Sequence, residues 1–306
     1  MDAPASPPAT IAALLERTRV RAGSLIITVF GDTVVPRGGS IWLGSLIRLM
    51  AAFTMSERLV RTGVYRLSRE GWLASHSRGR KAYYHLTPSG IATFAEADRR
   101  IYAAEGPPWD GDWTLLHMAP ALTGARRQAL KAHLDWSGYG QLCPNLFIHT
   151  GRRPVPGLAG PEAVVFYANL AGQLPAAAPR DVAALAWDLD RLNAAYAAFT
   201  ASFAGFEPAF ASSEDAFILV TLMIHEYRRI LLRDPQLPGE LLPPGWAGHG
   251  ARDLAARLYR RHAEAAGRFV STHMESWQGL APDPSSSYFE RFGGHIASPA
   301  RGIGNP

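Results

Sequence analysis

The 306-residue sequence predicts an α+β protein of several domains. Three observations carry that expectation. A strongly cationic helix followed by two short strands lies in the first third. A strand–helix–strand–strand alternation fills the middle. Long helical periodicity dominates from residue 179 to 285.

The chain opens on MDAPASPPAT, rich in Pro and Ala, with neither a basic nor a hydrophobic leader pattern, so residues 1–20 are expected to be a disordered tail and no signal peptide. SIWLGSLIRLMAAF (40–53) carries the apolar content of a buried helix. TMSERLVRTGVYRLSREG (54–71) follows after a short join. Thr54 and Glu57 have capping-box spacing, and Gly71 falls where a left-handed cap ends a helix. At 100° per residue, Leu59, Val60, Gly63, Val64 and Leu67 share one face. Arg58, Arg61, Thr62, Tyr65 and Arg69 share the other, flanked by Arg66. Trp72–Leu73 and Tyr83–Leu86 read as strands, with Arg78, Arg80 and Lys81 at a glycine-containing hairpin tip. Helix, turn, helix and basic hairpin make a winged helix-turn-helix, whose second helix can enter a major groove. Thr87–Pro88 then starts a linker helix expected to run to about residue 104.

Charge supports a nucleic-acid partner. Residues 56–86 hold seven Arg/Lys and two Glu, a net of +5, which equals the net charge of the whole chain. A localised cationic patch is the electrostatic footprint of DNA binding, with Arg forks suited to guanine edges and phosphates and the wing suited to flanking backbone.

After the turn-rich GPPWDGD (106–112), TLLHM (114–118) reads as a strand and TGARRQALKAHLDW (123–136) as a helix capped by Thr123. NLFIH (145–149) and AVVFYANL (163–170) read as further strands. That order is most of a ferredoxin-like unit. Past GQLPAAAPR (172–180), residues 181–204, 213–234 and 251–277 read as helices, the second apolar nearly all round through Ile224. The expected layout is therefore a tail at 1–20, a winged helix-turn-helix domain with linker helix at 21–105, a ferredoxin-like domain at 106–178, a helical domain at 179–285 and a flexible tail at 286–306.

The single cysteine, Cys143, excludes a disulfide framework, fits a reducing cytoplasm and reads as a small buried residue. No run of apolar residues is long enough to span a membrane. There is no phosphate loop, dinucleotide fingerprint, nucleophile elbow or zinc-type Cys/His spacing, so no catalytic residue, metal or cofactor is expected. His117, His133 and His149 share the middle segment without ligand spacing, and Asp112 stands alone at the start of its strand.

SLIITVFGDTVVPRGGSIWLGSLIRLM (24–50), ERLVRTGVYRLSREGWL (57–73), GRKAYYHLT (79–87), GDWTLLHM (111–118), LDWSGYGQL (134–142) and HEYRRILLRDPQLPGELLPPGW (225–246) resemble the PaaX family of bacterial repressors of phenylacetic acid catabolism. The resemblance covers residues 20 to 285 or so, in the family's order. It implies a homodimeric, cytoplasmic repressor that leaves its operator on binding phenylacetyl-coenzyme A. It also implies a middle domain similar to that of Cas2, a CRISPR-associated protein. On the helix 213–234, Thr221, His225, Arg228 and Arg229 share a face, with Tyr227 nearby and Trp246 beyond the prolines. Arginines and aromatic rings suit the phosphates and acyl group of such a thioester, which makes His225, Arg228, Arg229 and Trp246 the candidate effector contacts. A recognition helix reads few base pairs, so the operator is expected to be an imperfect palindrome of double-stranded DNA. The rival readings are a Cas2-like metal-dependent nuclease, or another nucleic-acid-processing enzyme, and a non-specific nucleic-acid-coating protein. The first needs clustered carboxylates and the second needs cations spread along a groove.

Overall fold

The computed structural model describes residues 10–102, 108–153, 162–169, 178–208, 210 and 212–294, and is an α+β assembly of helices and antiparallel sheets. The chain begins with α1 (Ile11–Arg17) and α2 (Ala22–Val29), and α2 runs into one π-helical turn at Phe30–Val34. Then come β1 (Ser40–Trp42), α3 (Leu43–Ala51), α4 (Glu57–Arg69), β2 (Leu73–Arg78), β3 (Lys81–Leu86) and α5 (Pro88–Tyr102). The middle of the chain supplies β4 (Asp112–Met118), α6 (Gly124–Trp136), β5 (Gly140–Cys143), β6 (Leu146–Thr150), β7 (Ala163–Asn169) and α7 (Ala178–Ala186). The remainder is α8 (Leu189–Phe203), α9 (Ser213–Leu231), α10 (Ala247–His273), a hairpin of β8 (Glu275–Ser276) and β9 (Gly279–Leu280), and α11 (Ser286–Phe289).

Contacts divide the chain into two compact units. The first unites residues 1–104, 199–228 and 250–306; the second unites 105–198 and 229–249. This departs from the three segments in series expected from the linkers. Helices α8, α9 and α10 each contribute residues to both units.

In the first unit, β1, β3 and β2 form an antiparallel sheet in that order. Ile41, Leu73 and Leu86 lie on its inner face, and Leu46, Val60 and Val64 of α3 and α4 are equally buried. Two glycines allow close approach. A Cβ at Gly63 of α4 would stand 2.9 Å from Ile26 Cδ1 of α2. A Cβ at Gly31, in the π-helical turn, would stand 1.5 Å from the Phe94 ring of α5, a position the ring could not keep. The same turn carries the buried Asp32. Arg291, only 5% exposed, donates Nη1 to the Asp32 carbonyl (3.0 Å), to Asp32 Oδ1 (2.9 Å) and to the Tyr259 hydroxyl (2.7 Å). Tyr102 and Tyr259 donate their hydroxyls to the same Oδ1 at 2.7 and 2.9 Å. One buried charge pair thus ties the π-helical turn, α5, α10 and the segment after α11 together.

In the second unit, the strands follow the order β5-β6-β4-β7, antiparallel throughout. Leu116, Met118 and Phe147 pack with Leu134 of α6. Trp113 and Ile148 pack instead with Ala183 of α7, Leu189 of α8 and Leu241. Tyr196 donates its hydroxyl to Asp234 Oδ2 at 2.6 Å, which anchors the proline-rich stretch that follows α9.

Several expectations are corrected. Residues 11–17 of the supposed tail form a helix, with Thr10 Oγ1 accepting from the Ala13 N–H (3.2 Å) and Leu14 buried; residues 1–9 lie outside the described residues. The supposed tail after 285 contains α11, and Tyr288, Arg291 and Phe292 are buried; residues 295–306 lie outside the described residues. The stretch 40–53 begins as β1, because Ser40, Ile41 and Trp42 pair with His85, Tyr84 and Tyr83. The periodicity over 181–204 is two helices, since Asp188 Oδ1 accepts from the Arg191 N–H (3.2 Å) and starts α8 afresh. The helix expected at 251–277 stops at His273, where the hairpin begins. Cys143, read as buried, is exposed on β5, a strand with no expectation attached to it.

Candidate nucleic-acid interface

The interface is built on α4. Its N-cap is Ser56, in extended conformation, with Oγ accepting from the Leu59 N–H at 3.4 Å. Thr54, the cap expected from the sequence, instead takes a left-handed φ of 57° in the turn before it. The helix ends as expected on Gly71, at φ +77°. Trp72 N–H reaches Leu67 O (2.9 Å) and Gly71 N–H reaches Ser68 O (3.2 Å), the paired bonds of a Schellman motif. Both ends are therefore closed within the chain.

Val60, Gly63, Val64 and Leu67 form the buried stripe, but Leu59, placed on that stripe by its angle, is 47% exposed. The opposite face is open. Arg58, Arg61, Thr62, Tyr65, Arg66 and Arg69 are all exposed, Tyr65 at 62%. Their internal contacts are light. Arg61 pairs with Glu57 at 2.7 Å, Arg66 approaches Glu70 at 3.8 Å, and Arg69 Nη1 donates to the Tyr65 hydroxyl at 3.5 Å. Thr62 folds its hydroxyl back onto the Arg58 carbonyl (2.9 Å). Exposed pairs one helical turn apart contribute only about 0.3–0.5 kcal/mol, so these guanidiniums can exchange partners for phosphate at little cost.

The hairpin of β2 and β3 turns through Gly79 and Arg80, with Gly79 at φ +62° and Arg78 opposite Lys81. Arg78 and Arg80 are exposed. Lys81 is not free as the sequence suggests: its Nζ lies 2.6 and 2.8 Å from the two carboxylate oxygens of Glu275. Tyr83 donates to the same carboxylate at 2.6 Å. The Lys81 and Tyr83 hydrogen bonds hold the Glu275 carboxyl below the usual range, while the same bond to Glu275, helped by burial, pushes the Tyr83 phenol up. Sequence reasoning passed over Glu275 because its partner lies 194 positions away.

Of the candidate effector contacts, His225 and Arg228 belong to the first unit and Arg229 and Trp246 to the second. His225 is buried at 2% exposure, and its Nδ1 lies 2.9 Å from Thr28 Oγ1, which closes it to a ligand. Arg228 is partly buried, and burial lowers its pKa. Arg229 is exposed. Trp246 packs edge-on against Tyr196 at 5.7 Å. In the second unit Asp112 accepts from Arg152 Nε (2.7 Å) and Asn169 Nδ2 (2.5 Å), and these two bonds hold its carboxyl below the usual range. Its oxygens are committed to structure. Among the described residues no three His, Cys, Asp or Glu side chains are grouped to hold a metal, and no helix is long and apolar enough to cross a membrane.

Residues 21–90, which span α2 through the β2–β3 hairpin into the start of α5, match the family model described as PaaX-like protein. Residues 187–272 match the PaaX-like protein C-terminal domain. The chain is 40% identical over 289 residues to the transcriptional repressor PaaX of Escherichia coli (strain K12), covering 90% of this chain and 91% of that one. This chain belongs to the PaaX family. Its fold is also similar to an uncharacterized protein from Mycobacterium tuberculosis, with a TM-score of 0.50 and 24% identity over 72% of this chain and 89% of that one. Within the PaaX-like match fall all nine residues singled out as DNA contacts, from Arg58 to Lys81. Glu275 falls outside both matched regions.

Proposed function

We propose that the protein is a repressor of phenylacetic acid catabolism genes that binds operator DNA as a homodimer through a winged helix-turn-helix. The carrying observation is the open face of α4, with Arg58, Arg61, Arg66 and Arg69 exposed around Tyr65 on a helix capped at both ends. In this reading α3 and α4 are the helix-turn-helix, β2 and β3 the wing, and α4 the helix that enters the major groove. The E. coli relative named as a transcriptional repressor supports it.

The finer assignments belong to the same proposal. The sheet order β5-β6-β4-β7 is that of a ferredoxin-like unit and fits a Cas2-like domain, from which no nuclease activity follows. The effector is an aryl-coenzyme A thioester such as phenylacetyl-coenzyme A, acting from outside α4 and the wing. Arg229 is the exposed α9 cation suited to one of its phosphates. Release requires that the ligand bind the DNA-incompetent state more tightly than the competent one.

The test is an electrophoretic shift assay of the full chain on its own upstream DNA, with and without phenylacetyl-coenzyme A. A specific complex that the thioester dissolves is the expected result. Equal affinity for upstream and scrambled duplex would remove the repressor reading. An operator complex insensitive to the thioester would remove only the effector.

A further inference from the structure

The wing sheet has two faces, and the second is covered by chain from the far end of the sequence. Strand register sets Trp42, Tyr83 and His76 in one row across the sheet, and Ser40, His85 and Ala74 in the next. This face is opposite to the one that carries Ile41, Leu73 and Leu86. The β8–β9 hairpin lies on it. Ser45 Oγ accepts from the Glu275 N–H (2.9 Å), and Ser40 Oγ accepts from the Trp277 N–H (3.0 Å). The Trp277 ring meets His76 edge-on at 4.2 Å and Tyr83 at 5.3 Å. Arg78 donates to the Trp277 carbonyl at 3.5 Å. Tyr83, between hairpin and sheet, is only 3% exposed.

Resting on the repressor reading, we propose that Glu275 and Trp277 are positioning residues for the wing, so that the DNA-reading surface is assembled from both ends of the chain. A two-stranded hairpin is marginal by itself, and β2 is an edge strand of the wing sheet. The carboxylate of Glu275 fixes β3 through Lys81 and Tyr83, and Trp277 fixes β2 through its ring against His76 and its carbonyl, which accepts from Arg78. Lys81 is consumed in this arrangement. The wing therefore offers Arg78 and Arg80 to phosphate, and Lys81 acts through Glu275.

Charge and positioning give opposite signs, which makes the idea testable. Removing a carboxylate beside a DNA surface should tighten binding to any duplex if only long-range charge matters. If Glu275 positions the wing, the same change should weaken binding to the operator alone. The experiment measures affinity and salt dependence of the full chain on its upstream DNA and on a scrambled duplex of equal length. Thermal unfolding of each variant checks the fold. Glu275→Ala and Trp277→Ala are expected to lower operator affinity about tenfold while leaving scrambled DNA unchanged or slightly tighter. Glu275→Gln keeps an oxygen for Tyr83 and Lys81 and should retain most operator affinity. Arg80→Gln should reduce the slope of log affinity against log salt by about 0.9, the loss of one phosphate contact, whereas Lys81→Gln should leave the slope unchanged. Tighter binding of Glu275→Ala to both duplexes, unaltered operator binding, or a Lys81→Gln slope that falls like that of Arg80→Gln would each overturn the proposal. If the alanine variants fail to fold, the Lys81 slope decides. The parent chain separates the two readings: equal affinity for upstream and scrambled duplex would remove the repressor reading, whereas a preference for upstream DNA that Glu275→Ala and Trp277→Ala leave unaltered would remove the wing proposal alone.

Discussion

Arginine does two opposite jobs in the first unit. On α4, Arg58, Arg61, Arg66 and Arg69 lie exposed, and the side-chain partners of this set among the described residues are Glu57, Tyr65 and Glu70. In the interior, Arg291 is ringed by Asp32, Asp98, Tyr102, Tyr259 and Tyr288, with its guanidinium 4.3 Å from the Tyr102 ring centre and 5.0 Å from that of Tyr288. Burial opposes the Arg291 charge, but Tyr102, Tyr259 and the two carboxylates outweigh it and hold the group firmly protonated. Burial likewise pushes the phenols of Tyr102 and Tyr259 well above their usual value, so both remain donors to Asp32. The difference lies in what replaces a lost partner. On α4 it is water, and phosphate can take its place. Around Arg291 and Asp32, 5% and 6% exposed, solvent has little access, so a lost partner leaves a buried charge uncompensated.

The sharpest way to break the comparison is to delete one cation from each place. Arg291→Met leaves Asp32 as a buried, uncompensated carboxylate. Breaking a buried pair from one side costs about 3–5 kcal/mol, so urea unfolding should show a loss of that order. Adding Asp32→Leu should recover part of it, because the orphaned charge goes too. Arg58→Ala and Arg61→Ala should stay within about 0.5 kcal/mol of the parent in the same unfolding experiment. If the α4 variants proved as unstable as Arg291→Met, the exposed face would be structural and the comparison would collapse.

Operator binding should reverse the ranking. Arg58→Ala and Arg61→Ala are each expected to weaken operator binding by about 1–3 kcal/mol if they contact base edges, and to relax specificity at the positions they read. Arg61 also loses its pair with Glu57, a minor cost for exposed groups. A footprint on upstream DNA should show two contact patches about 10 base pairs, or a multiple, apart on one face of the duplex. A single patch, with a monomer in solution, would contradict the dimer.

What could be read from the sequence follows the same division. The exposed arginines were legible because a helical face repeats every three or four residues, so Arg58, Arg61, Thr62, Tyr65 and Arg69 declare themselves within fifteen positions. The β2–β3 hairpin was legible from Gly79 between basic residues. Arg291 was not, since it lies 259 positions from Asp32 in a Pro- and Ser-rich stretch that composition alone assigns to a tail. Glu275 was hidden for the same reason, and its absence made Lys81 look free. His225 is a different case. Its helical face was right, but the Thr28 hydroxyl that occupies it comes from another helix. Local periodicity identifies a face; it does not say whether water or protein covers it.

The smallest effect should come from the histidines, which lie between the two extremes. His85, on β3, and His262, whose Nε2 lies 3.0 Å from the Phe206 carbonyl, both have pKa values lowered chiefly by burial. For His85 the neighbouring His76 adds to the effect. A group that resists protonation in the fold but not in the unfolded chain contributes nothing at pH values where both forms are neutral. As pH falls below the ordinary histidine value of about 6.5, the unfolded chain takes up the proton first and the fold loses stability. The slope from these two groups is bounded by two protons per molecule, and it should shrink, by at most one, when His85 is replaced with Gln. Urea unfolding of the parent and His85→Gln at about pH 7.5 and about pH 5.5 compares the two slopes directly. A parent that gained stability on acidification relative to His85→Gln would show that the wing face welcomes the charged ring. The His76–His85–Trp277 contact would then have to be a cation-binding arrangement, as open to charge as α4 and unlike the interior around Arg291.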